Sequence, residues 1–114
     1  MKNLFIILFI ISLIGCKLNQ EHELPQGILS KEKMTTLLID VHLTEATIDL
    51  CQSKNINITS FAQQQYKLLF KKHNITQKQF EENIKFYADH IELIDETYTA
   101  AIETLNKKQS EPIK

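Results

Sequence analysis

His42, Glu45 and Asp49 are the residues whose types and spacing come nearest to chemistry. On a helix, steps of three and seven residues place the three side chains within about 60° of one another, so that all can face one point. An imidazole with two carboxylates suits a divalent metal, with a further ligand or a water completing the site. The same three positions are also what the polar seam of any amphipathic helix presents, where a His–Glu pair exchanges a hydrogen bond. A small metal- or ligand-binding protein, with weak hydrolytic activity at most, is therefore the alternative reading of this chain.

Other chemistry has less support. The 114 residues include two glycines, Gly15 and Gly27, so nothing from Ile28 onward can form a glycine-rich phosphate cradle or a nucleophile elbow. Nucleotides are thereby excluded as ligands of such a loop. All 13 basic side chains are Lys, and a net charge of -1 leaves no basic excess to neutralise a phosphate backbone, so nucleic acid is not an expected partner. Serines and threonines fall mainly where helix caps are needed, and no oxyanion loop accompanies them. His73 and His90 stand near helix ends and need no catalytic role. The expectation is a protein that is not an enzyme and has no cofactor.

The most specific signal lies at the start of the chain. After Lys2 and Asn3, residues 4–14 run apolar and uncharged, a length that suits a signal-peptide core and is too short to span a bilayer. The run ends in Leu13-Ile14-Gly15-Cys16, which resembles the bacterial lipobox. On that resemblance residues 1–15 are removed, and Cys16 becomes a lipidated N-terminus holding the protein to a membrane. Several acyl chains at about 0.8 kcal/mol per buried methylene anchor stably, where one chain is marginal. Lys17, standing where Asp would retain a lipoprotein at the inner membrane, favours the outer membrane. With Cys16 acylated, Cys51 has no partner in the molecule and no internal disulfide supports the fold.

The mature chain divides into a polar tether at 16–29, a helical domain at 30–107 and a frayed tail at 108–114. Ser30 is suited to cap a first helix that runs to about Gln52. This helix has two apolar faces: Met34, Leu37, Leu38, Val41 and Ile48 on one, and Ile39, Leu43, Ala46 and Leu50 nearly opposite. It is either the central element or keeps a face for a partner. A second helix, capped by Thr59 or Ser60, ends at His73 with Asn74 as its left-handed terminator. Thr76 and Gln79 then form a capping box inside an Ile75–Phe80 staple. From Phe80 the stripe Ile84, Tyr87, Ile91, Ile94, Tyr98, Ala101, Leu105 predicts one long helix of about thirty residues, unless a second capping box, Asp89 with Glu92, breaks it. The fold expected is all-α, an up-and-down bundle of three helices, or four if that break occurs.

Pro25 through Met34 (P-Q-G-I-L-S-K-E-K-M), Leu37 through Ala46 (L-L-I-D-V-H-L-T-E-A), Phe70 through Thr76 (F-K-K-H-N-I-T) and the pair Phe86-Tyr87 resemble the small lipoproteins of Bacteroidota known only as a domain of unknown function. The resemblance implies a helical envelope lipoprotein and brings no activity, cofactor or catalytic residue with it. Such a protein is expected to be an accessory or assembly subunit that binds another envelope protein. Ile39, Leu43 and Leu50 are the expected contact residues, because an apolar face left over after folding marks a partner site.

Overall fold

A computed structural model describes residues 23–54 and 56–111, so Cys16 and the residues around it lie outside the described part. Four helices follow in order: α1 (Lys31–Gln52), α2 (Ile58–His73), α3 (Gln77–Ala88) and α4 (Ile91–Ser110). Among the described residues there is no strand, and the architecture is the four-helix form of an all-α bundle.

Each helix end has an identifiable local cause. The Ser30 hydroxyl accepts from the Lys33 N–H to start α1. Asn57, rather than Thr59 or Ser60, caps α2, its carboxamide oxygen accepting from the Ser60 N–H at 3.1 Å. At the other end Asn74 takes up φ 51° and ψ 46°, the left-handed geometry that closes a helix. The capping box of α3 is complete: the Thr76 hydroxyl accepts from the Gln79 N–H, and the Gln79 side chain accepts from the Thr76 N–H. Asn57-Ile58-Thr59 and Asn74-Ile75-Thr76 match the glycosylation sequon in pattern, but the first is a helix start and the second the turn that closes α2 and caps α3.

The single long C-terminal helix does not form. The chain breaks between Ala88 and Ile91, but not through a box at Asp89 and Glu92. Asp89 instead closes α3 and accepts from Lys85, while His90 precedes α4 without capping it by its side chain. The His90 ring turns back on α3, stacks on Phe86 at 4.2 Å between centroids, and sets Nδ1 2.6 Å from the Phe86 carbonyl oxygen. A carbonyl only accepts, so Nδ1 carries the proton and satisfies one of the orphan groups of the helix end. After the break the phase of the stripe changes. Ile91 and Tyr98 become exposed and Thr97 turns inward, beside Ala101, which keeps its place in the stripe.

Packing is organised around α1, which lies against both α2 and α4, while α3 contacts α4. Met34, Leu37, Leu38 and Val41 form the core with Leu69 of α2 and Tyr87 of α3. The packed region starts before Ser30. Pro25 accepts a hydrogen bond from the Ile28 N–H across Gln26 and Gly27, and Gly27 has φ 88°, the third position of a type II turn where glycine is favoured. Ile28 and Leu29 then pack on the core as a strap. Two buried polar side chains of α3 hold that strap. The Asn83 carboxamide accepts from the Leu29 N–H at 2.7 Å and donates to the carbonyls of Gly27 at 3.2 Å and Gln79 at 2.8 Å. The Tyr87 hydroxyl donates to the Leu29 carbonyl at 2.7 Å. Burial, with the nearby charge of Glu32, raises the Tyr87 phenol above its ordinary pKa and keeps it a donor. The packed domain therefore includes the chain from Pro25, earlier than the expected start at residue 30, and α4 extends to Ser110 before the chain leaves the helix.

Candidate functional site

The expected partner stripe of α1 is divided by the fold. Ile39 is 5% exposed, whereas Leu43 is 53% and Leu50 76% exposed. The reason is the return of α4: Lys31 pairs with Glu96 at 3.0 Å, and the rings of His42 and Tyr98 meet at 5.8 Å, so α4 lies along that flank of α1. Ile39, three residues before His42, is core and not a contact residue. Leu43 and Leu50 stand further round the helix, beyond the reach of α4, in the C-terminal half of α1.

The three candidate ligands are not brought together as a ligand set. His42 Nδ1 lies 3.5 Å from one Glu45 oxygen, and the other accepts from the Tyr66 hydroxyl at 3.4 Å. Burial first, and then the Glu45 charge and hydrogen bond, raise the Tyr66 pKa, so the phenol remains a donor to the carboxylate. Asp49 accepts from Gln52 instead. Among the described residues no group of three His, Cys, Asp or Glu side chains is placed to hold a metal ion. Glu45 thus serves the α1–α2 contact. Cys51, half-buried at the end of α1, is a free thiol.

A denser polar cluster was not visible as a motif. Asp40 Oδ2 accepts from Lys72 Nζ at 2.8 Å and lies 2.7 Å from His73 Nε2, with both the Asp40 and His73 side chains largely buried between α1 and α2. An ionised carboxylate only accepts, so Nε2 is the protonated nitrogen in this contact. Thirty-three residues separate Asp40 from His73, and no local spacing announces the pair. Its chemistry is that of a buttress. The imidazole sits at the C-terminal end of α2, where positive charge is favoured, and no nucleophile or apolar cleft accompanies it among the described contacts.

The electrostatics of Asp40 give a testable pH dependence. Burial raises its pKa, but hydrogen bonds from Lys72 and His73 and their charges outweigh burial, so the carboxyl titrates below its ordinary value of 3.8. A depressed folded pKa contributes stability that is present above the unfolded value and is lost as pH falls through the folded one. The wild-type domain is expected to lose stability between pH 5 and acid conditions more steeply than Asp40→Asn, as followed by urea midpoints at each pH. Parallel curves would show that the buttress contributes nothing.

A third feature is an open groove of about 900 Å³ between α2 and α3, lined by Ile58, Ala62, Tyr66, Phe70 and Phe80, with Lys67 on its α2 wall. Tyr66 and Phe70 share the apolar face of α2 with Leu69 and, with Phe80, pack at the edge of the core.

Residues 25–111 match the family described as Domain of unknown function (DUF4296). The chain belongs to that family. The start of the DUF4296 match coincides with the strap at Pro25, and its end with the close of α4. No curated protein and no solved structure matches the chain. Among the described residues, no helix of this DUF4296 protein is long and apolar enough to cross a membrane.

Proposed function

We propose that this protein is a non-enzymatic lipoprotein of the cell envelope of Bacteroidota, anchored by lipid on Cys16 at the outer membrane. Its helical domain binds another envelope protein as an accessory or assembly subunit. The observation that carries the reading is Leu13-Ile14-Gly15-Cys16 directly after an uncharged apolar run near the start of the chain. The pair Leu43 and Leu50 supports the partner face, since two large apolar side chains on one stretch of helix stay largely exposed among the described residues. The metal-binding alternative is left with the His42–Glu45 pair alone, and that pair already has Tyr66 as a neighbour.

The anchor is tested by growing cells with an alkyne-bearing fatty acid and comparing the native chain with Cys16→Ser. Label on the native chain, absent from the variant, together with partition into the membrane fraction, is the expected result. An unlabelled native chain would overturn the anchor, and zinc-dependent heat from the full chain that disappears in His42→Ala would favour the alternative.

A further inference from the structure

The geometry points to a head-to-tail contact between copies of this chain, in which the exposed ridge of α4 on one copy enters the α2–α3 groove of the next. Both surfaces are present on one molecule and complement each other in length and charge. On α4, Ile91, Tyr98 and Ile102 fall within about 40° on the helical wheel and form an apolar ridge, with Asp95 at its edge between Ile91 and Tyr98. They are 78%, 40% and 56% exposed. At 1.5 Å per residue the ridge is about 17 Å long, and the groove from Ile58 to Phe70 is about 18 Å long. Its walls carry the aromatic rings of Tyr66, Phe70 and Phe80, an apolar lining that suits aliphatic knobs.

Charge fixes the direction of the fit. The outer flank of the ridge carries Glu92, Asp95 and Glu103, all exposed, and none has an ion-pair partner among the described residues. The other flank is closed by α1 through the His42–Tyr98 contact. The groove is one-sided in the same way. Lys67 stands on its α2 wall with Lys71 one turn further along, neither of them ion-paired, and α2 contains no Asp or Glu. The α3 wall has Glu81, which accepts from Gln77. Seating the acidic flank against the α2 lysines keeps it away from Glu81 on the α3 wall. A symmetric pairing of two ridges would instead oppose carboxylates, an arrangement that costs energy. A contact between two different surfaces does not close on itself as a dimer, so it continues as a chain or ring of copies. Leu43 and Leu50 stay outside this contact, and it does not depend on the reading of Cys16.

Three apolar side chains make a small interface, so the contact is weak and is best read by crosslinking at native density. The full chain with Cys51→Ser is produced in intact cells as two differently tagged forms, one with Gln63→Cys at the groove and one with Thr99→Cys beside the ridge, and treated with a short bis-maleimide. The expected product carries both tags and exceeds the yield from two groove forms or two ridge forms. Lys67→Glu in the groove form lowers it about tenfold, and Asp95→Lys in the ridge form restores it. All four positions are exposed, so loss of folding does not mimic these results. Equal yields from every pairing, or a mixed product indifferent to Lys67→Glu, would overturn the proposal.

Discussion

Replacing Asn83 by Leu is expected to destabilise the domain by about 3 kcal/mol, because a buried donor and acceptors lose their only shared partner. The carboxamide is fully buried and makes three hydrogen bonds, two of them to the strap at Gly27 and Leu29. Leucine keeps the branched outline and is somewhat larger, so no cavity forms and the loss reads the broken hydrogen bonds together with crowding. Tyr87→Phe removes one bond to the same strap and should cost about 1 kcal/mol. Urea unfolding gives both values, and limited proteolysis supplies an independent sign: the variant with Leu at 83 should be cut near Leu29 while α1 to α4 remain intact. Equal stability and unchanged cutting would mean that the strap is held by the packing of Ile28 and Leu29 alone.

The strap is also where sequence reasoning stopped short. Pro25, Gly27 and the polar residues before them read as tether, and Asn83 was not singled out. Periodicity locates apolar faces, but Asn83 and Leu29 are 54 positions apart, and nothing in either neighbourhood indicates that a buried amide awaits a backbone partner. Much of the local chemistry was legible: Ser30, the left-handed Asn74, and the box of Thr76 with Gln79 stand where their types and spacing put them, although Asn57 and not Thr59 or Ser60 caps α2. The break at Asp89–His90 had no Gly or Pro to announce it, and it depends on the His90 ring folding back on Phe86. That break in turn decides the candidate site. Only with α4 returning along α1 is Ile39 buried while Leu43 and Leu50 are left open, so the partner stripe was legible as a stripe but not in its extent.

The second large effect separates core from surface on one helix. Leu37→Ala is expected to cost about 3 kcal/mol, since Leu37 is fully buried between α1 and its neighbours and truncation leaves a cavity. Leu50→Ala, thirteen positions along the same helix, should change stability by less than about 0.5 kcal/mol. For a domain of this size the first corresponds to a fall in Tm of more than about 10 °C, and the second to almost none. Thermal unfolding of the two variants side by side checks the pair. A Leu50 variant as damaged as the Leu37 one would mean that Leu50 is covered within the chain and is not available to a partner.

Conservation of stability in Leu50→Ala is a condition for the functional reading and not a demonstration of it. The proposed function requires that the open part of α1 meet another envelope protein. Photo-crosslinking in intact cells reads this contact, with a reactive residue placed in turn at Leu43, at Leu50 and, as a buried control, at Ile39. A discrete adduct to a second, different protein from Leu43 and Leu50, and none from Ile39, is expected. Folded, membrane-bound protein that gives no adduct from either leucine, or the same adducts from all three positions, would contradict it.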